Sequence, residues 1–285
     1  MRVLVIGNFS DLRCGFANFS QQTVIALQRA GLDVTAFDGT YPKVYFRHQI
    51  DIEAFFPPDV GDYDIVHLVW NAMTMNHYSG ADWAKCHHTS WWDGGPSDAS
   101  CPFKDAMQIR WSEYGQPDHH QLWYPVPDWV QVLPQPASMF TVGMSTVRGD
   151  GAPVVKDSCD RHGWVFNGPN SSWLSIDEEV QRLARSSVNV CWYHTSPIWK
   201  NRASAPSMLL ASGRPLLINR DSILAHLWDA QDVYHADDDT LESTLTTLAS
   251  QWIEHPLMQP IDTREALSWT AAAQEMIRVW EEALR

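Results

Sequence analysis

The first 37 residues follow the pattern of a strand, a helix and a second strand, and this pattern restricts the possible folds most. Arg2–Gly7 is a short apolar run that ends in a glycine, which is typical of a buried parallel strand. Ala17–Ala30 has apolar residues at helical spacing and is followed by Gly31, and Val34–Phe37 is the next apolar run. Strands that are joined through a helix lie parallel in one sheet. The sequence therefore predicts an α/β domain.

A second series of strands and helices begins near residue 141. The further predicted strands are Ile65–Val69, Ala84–His88, Thr141–Thr146, Trp164–Asn167, Val188–Trp192, Pro215–Ile218 and Val233–His235. One further predicted helix begins at Ser175, with a capping box to Glu178, and another begins with the segment Ser222–Trp228. The remaining predicted helices are Ala203–Ala211, Asp239–Glu254 and Asp262–Leu284. Prolines cluster near Pro134–Ser138, so we expect an N-terminal half at residues 1–136 and a C-terminal half at 137–285.

The segment Ser90–Pro136, between the two series, is rich in Pro, Gly, Trp and His. Its sequence has no clear periodicity, and we expect it to form long loops over a cleft. In open α/β sheets the ligand binds at the carboxyl ends of the strands. Two α/β halves therefore predict a ligand cleft at those ends, although the fold alone does not identify the chemistry.

Composition narrows the class of protein. Hydrophobic residues make up 45% of the chain and charged residues 19%, which indicates a folded globular protein. Neither a signal peptide nor an apolar run long enough to span a membrane is present, so we expect a soluble, cytoplasmic protein. The five cysteines are dispersed and are expected to be reduced. The net charge of −14 means that a nucleic-acid partner would need a local basic groove.

Several segments resemble the retaining nucleotide-sugar glycosyltransferases of the GT-B fold, a group that includes glycosyltransferase family 4 and glycogen phosphorylase. The first strand runs into a glycine-containing loop (Val5–Ser10, VIGNFS, with Cys14–Phe16, CGF), and a later strand reads YDIVH (Tyr63–His67). The stretch Leu209–Leu217 (LLASGRPLL) is similar to the family's EAMACGTPVV stretch. The resemblance implies two Rossmann-like domains that face each other across a cleft, with the donor bound by the second half. It also allows the last helix to cross back to the first half.

One feature of that family is missing. Its members often have two glutamates eight positions apart, the second just before the Ala-x-Gly-x-Pro turn. Counted back from Gly213, those positions hold Lys200 and Met208. The usual carboxylate contacts to the donor sugar are therefore absent or are supplied from elsewhere in the chain.

Cations near predicted helix starts are the candidates for binding the donor diphosphate. Lys200, Arg202 and Ser204 lie where a strand passes into a helix, and helix N-termini favour anions. Arginine can bind phosphate through two N–H groups, and lysine binds it as a point charge. The resemblance adds Lys156 and, with a weaker match, Arg148, because both follow the predicted strand Thr141–Thr146 and related enzymes place an arginine and a lysine after that strand. Exposed basic turns are the alternative for both groups. With these cations present, we expect no metal and no other cofactor.

Candidates on the acceptor side lie in the first half. Gly7, Gly15 and Phe16 form the loop after the first strand, where a glycine allows close backbone approach. The resemblance implies that His88 is the histidine near the reacting sugar, where it can bond a hydroxyl or accept a proton. Asn71 follows another strand, and His67 at that strand is expected to face the same cleft.

The residues also bear on three other functions. A dinucleotide-dependent oxidoreductase is disfavoured, because the GxGxxG pattern is absent and the next strand has no convincing acidic partner for a ribose, Asp38 being the nearest. A zinc site would use the cysteines and histidines of the middle segment, but paired ligand spacing is absent there; those residues are Cys86, His87, His88, Cys101, His119 and His120. A nucleotide- or sugar-binding module without catalysis stays open. The acceptor also stays open: a saccharide, a small molecule, or a hydroxylated DNA base as for compact phage enzymes of this class.

Overall fold

The computed structural model describes residues 1–7, 9, 15–38, 59–70, 89–93, 107–110, 120–121, 125–130, 132, 138–145, 151–169, 175–192, 204–220, 233–254 and 267–285. The side chains of 15–18, 70, 89–93, 107–110, 120–121, 204–207 and 253–254 are not described. The chain divides into two compact units. One comprises Met1–Pro125 and Trp269–Arg285, and the other comprises Val126–Ser268.

The first unit contains a six-stranded parallel sheet in the order β2-β1-β3-β4-β5-β6. Its strands are β1 (Arg2–Gly7), β2 (Asp33–Asp38), β3 (Ile65–Trp70), β4 (Thr89–Asp93), β5 (Met107–Arg110) and β6 (His120–Gln121). Helix α1 (Gly15–Arg29) connects β1 to β2. Residues Val3 to Ile6 of β1 are fully buried, as expected for a central parallel strand. The predicted βαβ unit is therefore confirmed.

The middle segment differs from its prediction, because part of it forms sheet. Strands β4, β5 and β6 lie within 89–121, where the sequence suggests long loops. Each is only two to five residues long, so none is long enough to show a period. The parallel pairing of β4 with β3 and of β5 with β4 makes them strands. The predicted strand at 84–88 lies outside the described residues, and β4 begins directly after it.

The second unit contains a five-stranded parallel sheet in the order β11-β10-β9-β7-β8. Its strands are β7 (Thr141–Gly143), β8 (Val165–Asn167), β9 (Val188–Cys191), β10 (Leu216–Asn219) and β11 (Val233–Ala236). Its helices are α2 (Gly151–His162), α3 (Ile176–Ala184), α4 (Ser204–Ala211) and α5 (Leu241–Glu254). Helix α3 begins with the predicted capping box, in which Ser175 and Glu178 bond each other's backbone N–H groups. Buried side chains from β7, β9, β10, β11, α2 and α5 form one core cluster.

Helix α2 is not among the helices that the sequence predicts. Pro153 lies in its first turn, where the missing N–H group costs nothing because no intrahelical partner exists there. Val155 and Cys159 are four residues apart and are both fully buried, so one face of the helix packs against the sheet. The helix places Lys156 on an ordered element of the second unit.

The last helix, α6 (Trp269–Ala283), is part of the first unit. The indole N–H of Trp269 donates to the Gln22 side chain of α1, and the Trp269 ring lies 4.9 Å from that of Phe19. The chain changes unit at a backbone bridge between Val126 and Ser268. This division lies before the proline cluster at Pro134–Ser138, because pairing and packing, and not the prolines, decide which unit a segment joins.

Candidate functional site

The strand order locates a crevice in each unit. In the first sheet β1 lies between β2 and β3, and in the second sheet β7 lies between β8 and β9. In each sheet, the second strand in chain order pairs on one side of the first strand (β1 or β7), and the third strand pairs on its other side. A crevice opens outside the carboxyl ends of the two strands where this reversal occurs, and open α/β sheets bind ligands there. These reversal points lie between β1 and β3 in the first unit and between β7 and β9 in the second unit.

At the reversal point of the second unit, helix α2 begins against the end of strand β9. A Cβ atom on Gly151 would lie 2.7 Å from the carbonyl carbon of Trp192 and closer still to its oxygen. Only glycine therefore allows the first turn of α2 to approach the β9 backbone this closely. The N–H groups of that turn have no intrahelical acceptors and carry the positive end of the helix dipole.

Two buried polar atoms flank the same point. Ser145 follows the end of β7, and Trp192 follows the end of β9. The hydroxyl oxygen of Ser145 and the indole nitrogen of Trp192 are both buried, and neither has a hydrogen-bond partner among the described residues. Buried polar atoms are normally satisfied, so such atoms at a crevice are suited to bonding a ligand or water.

Arg182 of helix α3 holds the carboxyl ends of β7 and β8 together. Its Nη2 atom donates to the carbonyl oxygen of Met144 at 2.8 Å, and Nη1 donates to those of Asn167 at 3.0 Å and Gly168 at 2.9 Å. Nη1 also donates to Asn167 Oδ1 at 2.7 Å. The Glu179 carboxylate accepts from Nε at 2.8 Å and from Nη2 at 2.7 Å. Sequence reasoning missed Arg182, and the only signal was its spacing of three residues from Glu179.

Lys156 is the donor-side candidate whose side chain the structure describes. It lies in the second turn of α2, with 54% of its side chain exposed, and its Nζ atom is 2.5 Å from Asp160 Oδ2. The hydrogen bond to Asp160 raises the pKa of Lys156 above its ordinary value, so the ammonium group stays charged. Ser204 is the first residue of α4, and only its backbone is described. Arg148, Lys200 and Arg202 lie outside the described residues.

Gly7 and the start of α1 lie at the reversal point of the first unit. A Cβ atom on Gly7 would lie 2.7 Å from the Cβ of Ser20 and closer to its hydroxyl oxygen, so the missing side chain lets α1 pack onto β1. Gly15 and Phe16 form the beginning of α1, and only their backbone is described. Asn71 comes directly after β3 and lies outside the described residues.

Asp38 fixes the chain after β1. It lies at the end of β2, is 3% exposed, and its Oδ2 atom accepts from the backbone N–H of Phe9 at 3.3 Å. The carboxylate is thus used inside the first unit. This agrees with the sequence argument that Asp38 is not a convincing partner for a ribose.

His67 does not face a cleft, and that expectation is corrected. The ring is fully buried in β3 and lies 5.5 Å from the Trp280 ring of α6. Burial lowers the pKa of His67 to about 3, which keeps the imidazole neutral. The reason is topological: consecutive strand residues point to opposite faces of the sheet, and the face that His67 occupies is covered by the last helix. His88 lies outside the described residues.

Within the part of the chain that the structure describes, no group of three His, Cys, Asp or Glu side chains could hold a metal ion. Most residues of the zinc alternative lie outside that part, and His120 is described only as backbone in β6. Cys159 and Cys191 are buried, and neither forms a disulfide. None of the described helices is long and apolar enough to cross a membrane.

Solved structures of glycosyltransferases share this architecture along the whole chain, and the fold is that of the GT-B glycosyltransferases. AviGT4, a glycosyltransferase involved in avilamycin A biosynthesis, aligns with a TM-score of 0.67 and 13% identity over 100% of this chain and 98% of its own. HepE from Anabaena in complex with UDP aligns with a TM-score of 0.63 and 9% identity over 99% and 100%.

Two further structures of the fold carry other ligands. An α-glucosyltransferase in complex with UDP and a 13-mer DNA containing an HMU base aligns with a TM-score of 0.58 and 12% identity over 100% and 99%. The T4 phage enzyme BGT in complex with UDP and Mn²⁺ aligns at 0.53 and 10% over 100% and 97%. No protein-family model and no curated protein sequence matches this chain. At these identities the comparison establishes the fold.

Proposed function

We propose that the protein is a glycosyltransferase that moves a sugar from a nucleoside-diphosphate sugar to an acceptor hydroxyl, with retention of anomeric configuration. The observation that supports this most is the match to GT-B glycosyltransferases over the full length of both chains. A match that covers both chains favours an enzyme of this class over a domain shared by unrelated functions. A non-catalytic binding module would behave differently, because it would bind the donor sugar nucleotide and release no product.

We assign donor binding to the second unit, at the carboxyl ends of β7 and β9. In the reaction the bond from the anomeric carbon to the diphosphate oxygen breaks, and a bond to the acceptor oxygen forms. The leaving diphosphate gains negative charge, and a cation or a helix N-terminus can stabilise it there. The first turn of α2 and the ammonium group of Lys156 supply such charge in the described residues. Lys200, Arg202, Ser204 and Arg148 are proposed to complete the site.

The acceptor is proposed to bind the first unit near Gly7, Gly15, Phe16 and Asn71. His88 is proposed to bond the reacting sugar or to receive the proton that the acceptor hydroxyl loses. Imidazole is suited to this step because its ordinary pKa lies near neutrality. His67 is unsuitable, because its buried ring stays neutral and covered.

Nucleotide binding tests the donor assignment. Lys200→Ala and Arg202→Ala are expected to abolish binding of UDP, GDP and ADP in a thermal-shift and calorimetric titration, and to leave the unliganded melting temperature unchanged. Arg161→Ala is the matched control, since Arg161 is an exposed arginine of the same unit that pairs with Glu242. Wild-type affinity in both the Lys200 and Arg202 variants rejects the donor assignment.

We propose that no metal is required, because the cations named above take the place that a metal would fill. Mn²⁺ accompanies UDP in the T4 phage structure, so this point needs its own experiment. Donor turnover is expected to survive EDTA treatment. Activity that is lost in EDTA and restored by Mn²⁺ contradicts metal independence while leaving glycosyl transfer intact.

A hydroxylated DNA base is a second candidate acceptor, favoured by the solved α-glucosyltransferase with DNA containing an HMU base. The net charge of −14 argues against a duplex, since the protein as a whole repels polyanions. Transfer to duplexes with and without hydroxymethylated pyrimidines separates this case from transfer to saccharides. Sugar incorporation that needs the hydroxymethyl group identifies the DNA acceptor.

A further inference from the structure

We propose that Arg182 is a positioning residue for the donor diphosphate: it fixes the carboxyl ends of β7 and β8, and through them the place where the chain leaves β7. This inference rests on the proposed function, because it concerns the same crevice. Arg182 lies in the last turn of α3, and the residues that it holds are 14 to 38 positions away in the sequence.

The guanidinium group is fully engaged within the protein. A guanidinium has five N–H donors. Here Nε and Nη2 bond the Glu179 carboxylate, Nη2 also bonds Met144, and Nη1 bonds Asn167 and Gly168. No N–H group is left for a phosphate oxygen. Arg182 therefore acts through the backbone that it holds, which distinguishes it from a ligand-binding arginine.

Burial makes this arrangement rigid. The side chains of Arg182 and Glu179 are only 15% and 13% exposed, so water competes little for their hydrogen bonds. Asn167 completes the connection, because its Nδ2 atom donates to the Arg182 carbonyl and to the Ser186 hydroxyl, each at 3.0 Å. Arg182 donates to Asn167, and Asn167 donates back to the Arg182 carbonyl, so this one pair of residues joins helix α3 to strand β8.

The bond to Met144 connects this cluster to the crevice. Met144 is the residue after β7, its N–H group donates to the Asn167 carbonyl at 3.0 Å, and its carbonyl accepts from Arg182. The next residue, Ser145, carries the buried hydroxyl without a partner among the described residues. Without Arg182 the carbonyl oxygens of Met144 and Gly168 lose this donor, and among the described residues Met144 is held at this edge only through its N–H bond to Asn167, which loosens the position of Ser145.

Arg182→Lys is the most informative change, because it keeps the charge and loses the fork-shaped set of donors. We expect the variant to fold, and its Kd for UDP to rise about tenfold, in line with the loss of charge-assisted hydrogen bonds. The Kd for uridine, which lacks the diphosphate, is expected to stay within about twofold. Glu179→Gln removes the counter-charge of Arg182 and is likewise expected to raise the Kd for UDP and to leave the Kd for uridine within about twofold.

Arg278→Ala is the matched control. Arg278 bonds Glu275 three positions before it, as Arg182 bonds Glu179, but it is exposed, lies in α6 and also pairs with Glu282. Its UDP affinity is expected to equal that of the wild type. A folded Arg182→Lys protein with wild-type UDP affinity overturns the inference. An equal loss for UDP and uridine also overturns it, because that result indicates a general structural defect.

The proposed function is tested separately by the wild type in the same titration. A wild type that binds none of UDP, GDP and ADP contradicts the donor assignment, and the role of Arg182 fails with it. A wild type that binds UDP while Arg182→Lys binds it equally well contradicts only the role of Arg182.

Discussion

Replacing Gly151 with alanine tests whether the contact between α2 and β9 builds the crevice of the second unit. The added Cβ would lie 2.7 Å from the Trp192 carbonyl carbon and still closer to its oxygen. Side chains can rotate away from such a clash, but both of these atoms belong to the backbone. The start of α2 or the end of β9 must therefore move.

The magnitude follows from overpacking, which costs about 1–3 kcal/mol. Alanine also favours a helix over glycine by up to about 1 kcal/mol, which offsets part of that loss. We expect a net decrease of about 1–2 kcal/mol in the free energy of unfolding. For a unit of this size that corresponds to a fall of about 2–8 °C in melting temperature. The UDP affinity is expected to fall as well.

Gly163→Ala is the control at the other end of the same helix. Gly163 has a φ of 69°, and no described atom lies within 4 Å of the position of its Cβ, so alanine there adds backbone strain without a clash. That strain costs about 1–2 kcal/mol, so the two variants are expected to lose similar stability. Differential scanning fluorimetry and UDP titration compare them. Only Gly151→Ala is expected to lose UDP affinity; equal UDP affinity in both variants refutes the reasoning.

Two further predictions concern Lys156 and His67. Lys156→Ala is expected to weaken UDP binding severalfold and to leave the melting temperature unchanged, because exposed ion pairs contribute little to stability. The control Asp160→Asn keeps the ammonium group and should not weaken UDP binding. Unchanged UDP affinity in Lys156→Ala contradicts a role of Lys156 in donor binding. Since the pKa of His67 is lowered to about 3, the unfolded chain binds a proton below pH 6.5 that the native state excludes, and stability falls with decreasing pH between those values by up to about 1.4 kcal/mol per pH unit. Urea unfolding at pH 7 and pH 5 should show a smaller pH dependence in His67→Leu, and an identical dependence contradicts the burial of a neutral ring.

Local patterns predicted the elements whose signals are contained in their own residues. Strand β1, helix α1 and the capping box at Ser175 have an apolar period or a cap that can be recognised in a few adjacent positions. Strands β4 to β6 were missed, because two to five residues are too few to show a period and only pairing with neighbouring strands makes them sheet. Helix α2 was missed because glycine and Pro153 at its start are common in loops too.

The candidate site was less predictable than the fold. The basic character of Lys156 is visible in the sequence, but its place on a helix and its bond to Asp160 are not. The hydrogen bonds of Arg182 reach three carbonyl oxygens, and backbone carbonyls are the same for every residue type, so they leave no mark in the sequence. His67 at the end of a YDIVH strand suggested a cleft residue, and only the packing of α6 shows that it is covered.

Glycosyl transfer itself is tested most directly by incubating the purified protein with a panel of UDP-, GDP- and ADP-sugars and measuring release of the nucleoside diphosphate. We predict that at least one donor is hydrolysed slowly without an acceptor and is consumed faster once a suitable hydroxyl is offered. Lys200→Ala should abolish that release, and Arg161→Ala should not. Tight nucleotide binding with no release from any donor, in the presence of saccharide and hydroxymethylated DNA acceptors, would contradict the account and would identify a binding module that keeps the fold without the reaction.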